Sequence, residues 1–287
     1  MNSTFLVVML AVCAAWAEPL AAFENFESVP GGISGVLLRH SETEPPMAFF
    51  GNHPVLVQRH PEGWVAVVGL DRDLAPGFYV VNTIDSEERN ESYTFTVRPG
   101  QRPIYEVLAP PDSDLEAVAK RHMENLDQMP KFPLEESESP PDLDFVLPVD
   151  QDIRLQYGYL NFRGTGLLLA FPGLGFDPAP QSEVVNPSFG QVISVDETYG
   201  GSRVVIYHGA GVVSVFNNLE RVSVSSEDWV FKDAEIGILK QRETVALLPD
   251  WSVYLNGAAI DPLLLVSQKI NLEPITEEPL APPLKID

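Results

Sequence analysis

Punctuation constrains this chain more than any other feature: 26 prolines and 20 glycines cut it into short runs of β-branched and aromatic residues. Val55–Val57 and Trp64–Val68 are such runs, separated by the turn-forming His60-Pro61-Glu62-Gly63. Phe78–Val81 and Tyr93–Val97 repeat the pattern behind a second turn, Ala75-Pro76-Gly77. This spacing predicts a β-sandwich-like module over residues 18–105. Further runs, Val184-Val185, Gln191–Val195, Arg203–Tyr207, Val212–Phe216 and Trp251–Leu255, predict a second β domain over residues 145–270. The fold class expected is therefore all-β, with one exception between the domains.

That exception is residues 106–144, read as an acidic helix followed by a proline-rich linker. From Glu106 to Asp152 there are 13 acidic residues, 3 basic residues and seven prolines. Ser113 and Glu116 form a capping box, and Leu115, Val118, Ala119, His122, Leu126 and Met129 follow a helical stripe. Residues 271–287 form a proline-rich tail.

Charge and cysteine content narrow the function. The chain carries 18 Lys and Arg against 41 Asp and Glu, a formal net charge of −23. Such a field repels phosphate backbones, so no nucleic-acid partner is expected. Its one cysteine, Cys13, sits in the apolar run Phe5–Trp16, which ends in the small-x-small signature Ala15-Trp16-Ala17. Residues 1–17 read as a signal peptide, with a periplasmic or secreted product and no membrane span after cleavage. Lipidation at Cys13, within Leu10-Ala11-Val12-Cys13, and a retained anchor are the alternatives. Once the signal is removed no thiol remains, so thiolate metal sites and cysteine nucleophiles are excluded. There is no Gly-x-Ser-x-Gly elbow. The Gly164-x-Gly166 and Gly173-x-Gly175 pairs read as turn glycines, because no helix follows to hold a phosphate.

Three phrases carry a family resemblance. Phe145–Gly158 resembles the opening of the lysostaphin-type, or LytM-type, zinc metallopeptidase domain. Arg203–Leu219 (RVVIYHGAGVVSVFNNL) is similar to its central hairpin, and Trp251–Pro262 (WSVYLNGAAIDP) to its terminal one. Val29–Gly32 and Gly63–Gly69 resemble the β domain that precedes this peptidase in Gram-negative proteins. The resemblance implies a peptidoglycan endopeptidase fold with zinc held by His-x-x-x-Asp and the second His of His-x-His. It also implies two further histidines at the reacting centre.

Those residues are not here. Aligned by phrase, the His-x-x-x-Asp ligand positions fall on Gly164 and Leu168, and the last ligand position on Asp250. The two catalytic histidine positions hold Asn218 and Leu248. Of five histidines, only His208 lies in the second domain, where it corresponds to a histidine that is not a zinc ligand and reads as a hydrogen-bonded turn residue. Zinc needs three protein ligands and an open position for the water it acidifies. Leu168 is expected to fill the former metal pocket, and Asp250 to be a solvated turn residue. No cofactor is expected.

The reading that follows is a degenerate, non-enzymatic member of the family acting as a cell-envelope binding or regulatory module. Its expected partners are peptidoglycan or a cell-wall hydrolase, and Tyr157, Asn218, Asp250 and Trp251 are the candidate groove lining. One alternative is an active zinc endopeptidase that borrows ligands such as His122 or a partner's side chains. The other is an extracellular scaffold without wall affinity.

Overall fold

The computed structural model describes residues 26–38, 44–107, 141–198, 200–241 and 248–266. The signal segment, the helix expected around 113–129 and the C-terminal tail lie outside them. Among the described residues the regular structure is β, with a single 3-10 turn at Pro262–Leu264 and no α-helix.

The first module is a six-stranded antiparallel sheet: β1 (Ile33–Leu38), β2 (Met47–Phe50), β3 (His53–His60), β4 (Gly63–Gly69), β5 (Gly77–Ile84) and β6 (Asn90–Val97). The order is β1-β4-β3-β2-β5-β6, and the sheet curls until β1 lies against β6. The sandwich-like packing is thus achieved by one sheet rolled on itself. Trp64, Ala66 and Val68 of β4 face its interior with Leu38, Val81 and Val97. Val65 and Val67, on the opposite face of β4, have a different destination.

They enter the main core of the second domain, alongside Ile33 and Leu56 and together with Leu174, Phe216, Trp251 and Leu255. A strand with alternating side chains buried on both faces reads as a continuous apolar run, as Gly63–Gly69 does. The two modules therefore share hydrocarbon. Polar contacts pin the same seam. The Asn256 side chain bonds Gly69 in both directions, accepting from its N–H at 2.7 Å and donating to its carbonyl at 3.2 Å. Asn256 and Gly257 have φ of 46° and 83°, as a tight Asn-Gly hairpin requires. Gly31, at φ 73°, leaves room for the Tyr157 ring, which a Cβ would meet at 2.5 Å. Tyr157 in turn donates to the Ala259 carbonyl at 3.0 Å.

The second domain comprises β7 (Ile104–Val107), β8 (Ile153–Leu155), β9 (Gly158–Phe162), β10 (Leu167–Phe171), β11 (Gly173–Phe176), β12 (Glu183–Val185), β13 (Gly190–Thr198), β14 (Gly201–Gly209), β15 (Val212–Val222), β16 (Trp229–Val230), β17 (Glu235–Leu239), β18 (Asp250–Leu255) and β19 (Ala258–Ile260). Its large sheet runs β16-β13-β14-β15-β18-β11-β8, with β12, β17 and β19 on branches. A small sheet, β10-β9-β7, sits beside it. β7 pairs in parallel with β9, so Ile104–Val107 crosses the expected boundary at 105/106 and belongs to this domain's sheet.

Candidate functional site

The strands that carry the family phrases meet where β11, β15 and β18 lie side by side. Gly175 of β11 stands directly opposite Asp250 of β18, and Asp250 stands opposite Asn217 of β15. The Asn217 side chain donates to Asp250 Oδ1 at 2.9 Å, and Ser252 Oγ reaches the same oxygen at 3.4 Å. Asp250 is thus the first residue of a strand, with an enclosed carboxyl, rather than a solvated turn residue. Burial lifts its pKa to about 6, against the two hydrogen bonds, which favour the ionised form.

Beside this carboxyl the site is hydrocarbon. Phe171, at the end of β10, is buried in a cluster with Leu155, Phe162 and Leu248. Its Cζ lies 3.0 Å from where a Cβ on Gly175 would stand, so the ring occupies the space that any side chain at 175 would need. Asn218, at φ 59°, is buried and spends its side-chain N–H on the Leu248 carbonyl at 2.9 Å.

The positions read from sequence are distributed differently from expectation. Leu168 does not fill this pocket. It is 51% exposed on β10, paired with β9, because its neighbours Leu167 and Leu169 take the apolar contacts. Gly164, at φ 77°, is in the open loop between β9 and β10. Gly173 and Gly175, expected in a turn, lie inside β11, where a Cβ on Gly173 would meet the Trp251 carbonyl at 2.2 Å. Tyr157 and Trp251 are core side chains rather than groove lining, because one is wedged in the seam between modules and the other stacks on Phe145 and Phe216. Of the four lining candidates, Asp250 alone is half-buried, and the other three are buried.

A polar network survives one layer away. His208 Nε2 lies 2.8 Å from Ser214 Oγ, and Trp251 Nε1 lies 3.1 Å from the same oxygen. The indole can only donate and the Phe189 carbonyl can only accept, so Ser214 Oγ accepts from Trp251 and its hydroxyl donates to His208 Nε2. His208 Nδ1 then carries the hydrogen that bonds the Phe189 carbonyl at 3.0 Å. Burial pushes the His208 pKa down to about 4, so this histidine is neutral and structural.

Residues 171–262 match peptidase family M23, and residues 26–99 match the peptidase family M23 N-terminal domain. The chain is a peptidase family M23 homologue. The M23 match opens on Phe171, and Phe171-Pro172-Gly173-Leu174-Gly175 has the five-residue span of His-x-x-x-Asp. A candidate M23 peptidase from Pseudomonas aeruginosa shares the fold, with TM-score 0.63 and 24% identity over 85% of this chain and 98% of that one. A zinc-containing peptidase from Vibrio cholerae matches at TM-score 0.39 and 12% identity, over 74% of this chain and 85% of that one. The catalytic domain of lysostaphin from Staphylococcus simulans matches at TM-score 0.34 and 18% identity, over 40% of this chain and 90% of that one. No curated protein matches.

The M23 family implies zinc, and the donors present here do not fit it. Beside the Asp250 carboxylate, Phe171, Gly175 and Leu248 offer no side-chain lone pair. Among the described residues, no group of three or more His, Cys, Asp or Glu side chains is placed to hold a metal ion.

Proposed function

We propose that this M23 homologue is a non-catalytic cell-envelope module, which binds peptidoglycan or regulates a wall hydrolase with the fold that its relatives use for hydrolysis. The observation that carries the reading is the Phe171 ring packed against Gly175. In this reading Phe171, Gly175 and Asp250 stand at the three ligand positions, and Asn218 and Leu248 at the two catalytic histidine positions. A ring and a missing side chain replace two metal donors, and Leu248 joins Phe171 in one apolar cluster. Burying a phenylalanine side chain contributes roughly 1.5–3 kcal/mol, so the exchange turns a metal corner into packing. The signal-like start, which carries the one cysteine, Cys13, supports an exported protein.

Two measurements test this together. Metal analysis of the purified chain is expected to find substoichiometric zinc, and incubation with peptidoglycan to release no fragments. Co-sedimentation with insoluble peptidoglycan, or a changed rate when the chain is added to a wall hydrolase from the same cell, is the expected positive result. Stoichiometric zinc with chelator-sensitive degradation would overturn the reading in favour of an endopeptidase. A chain that stays in the supernatant and alters no hydrolase would be a scaffold instead.

A further inference from the structure

The outer edge of the second domain carries three aromatic rings in water. Phe189, Trp229 and Phe231 are 46%, 62% and 71% exposed. The Phe189 and Trp229 rings stack, with centroids 5.3 Å apart and planes 13° apart, and Phe231 leans on Phe189 at 5.5 Å. Exposed apolar residues are usually scattered singly; a contiguous, ordered group marks an interaction site.

The group is held rigidly from behind. Trp229 and Phe231 flank Val230, whose side chain enters the main core, so strand alternation sends both rings outward. Gly190 pairs with Val230 and lies so close to His208 that a Cβ would meet Nδ1 at 2.8 Å. The Phe189 carbonyl is the acceptor for that same imidazole. The Asn186 side-chain amide donates to the Val230 carbonyl at 2.9 Å, and its backbone carbonyl accepts from the Asp233 N–H at 2.9 Å. The rings are thus presented by a buried hydrogen-bonded frame, which lowers the ordering cost of binding.

Charge decides what the rings suit. Glu227 and Asp228 immediately precede Trp229, and Asp233 follows Phe231 by two residues, all three exposed. Exposed Asp142 is tethered here by the bond from Ser188 Oγ to its carbonyl at 3.0 Å. Asp144 is tethered by Lys232, whose Nζ lies 2.6 Å from its carbonyl and 3.4 Å from its carboxylate. Lys232 is the one cation among these neighbours, and Asp144 meets its charge. Aromatic faces with four further exposed acidic residues nearby, Glu227, Asp228, Asp233 and Asp142, complement a guanidinium or ammonium group, which gains from the ring quadrupole and the surplus negative charge together.

We infer that the Phe189–Trp229–Phe231 platform docks an arginine- or lysine-bearing segment of a partner protein. The surface is built from different residues than the Asp250 corner and stands whether or not that corner binds anything. The test uses the full chain and short synthetic peptides that alternate glycine with arginine, lysine or glutamate. The arginine peptide is expected to bind best, the glutamate peptide not at all, and binding to weaken as salt rises. Trp229→Ala with Phe231→Ala is expected to weaken the arginine peptide roughly tenfold or more without changing the thermal midpoint. Should that variant misfold, Glu227→Gln with Asp228→Asn, which removes no buried atom, must weaken binding too. Glu87→Gln with Glu88→Gln, in the other module, must leave it unchanged. Equal affinity in platform variants and wild type would overturn the inference. So would platform-dependent binding of a neutral oligosaccharide without the peptide, or a dimer that Trp229→Ala dissolves.

Discussion

Two neighbouring regions of the second domain are built on opposite chemistry. At the corner of Phe171, Gly175 and Leu248, hydrocarbon packs beside the Asp250 carboxyl, where the proposed function puts the family's ligand positions. One layer behind, His208, Ser214 and Trp251 keep a fully hydrogen-bonded polar chain. The difference separates two reasons for a histidine to sit in one fold. A ligand histidine faces an ion and can be replaced once nothing is bound. A framework histidine faces only its own protein, and replacing it strands buried polar groups that cost free energy whether or not the protein does chemistry.

Removing the ring should have the largest effect. Phe171→Ala leaves a cavity in the apolar cluster and is expected to cost about 3–5 kcal/mol in denaturant unfolding. A smaller loss would mean that the corner collapses easily and is not true packing. Ser214→Ala comes next: it orphans the Trp251 N–H and the His208 Nε2, for a loss of roughly 1–3 kcal/mol.

Acidity distinguishes the two regions by sign. His208 has a folded pKa of about 4, below its ordinary 6.5, so its contribution is complete above 6.5 and declines as pH falls toward 4. Asp250 is raised from 3.8 to about 6, so its contribution is present at low pH and is lost as pH climbs to 6. Asp250→Asn should therefore gain stability relative to wild type as pH rises from 4 to 6, and His208→Gln should lose it. Thermal midpoints across that window check both slopes, and parallel curves would refute the assignment. The smallest effect belongs to Leu168→Ser, expected within about 0.5 kcal/mol; a large loss would restore Leu168 as a pocket filler.

Much of the scaffold could be read in advance. The runs at 55–57, 64–68, 78–81, 93–97 and 251–255 lie in β3, β4, β5, β6 and β18. Phrase alignment puts the ligand positions on Gly164 and Leu168, seven residues before the Phe171–Gly175 span, because a motif without imidazole or carboxylate gives an alignment little to hold. The groove candidates Tyr157 and Trp251 illustrate a second limit. Alternation identifies the two faces of a strand, but only tertiary packing decides which face meets another module. For the same reason Trp229 and Phe231 gave no warning that they would stand in water while Val230 went inside.

The double-sided burial of β4 has a practical consequence for anyone dissecting this protein. Val65 and Val67 reach across the seam while Trp64, Ala66 and Val68 hold their own sheet. Scissors applied between residues 99 and 171, where the two family matches leave a gap, would expose a greasy wall on each fragment. Calorimetry should show one endotherm, and either half produced alone should be lost to proteolysis.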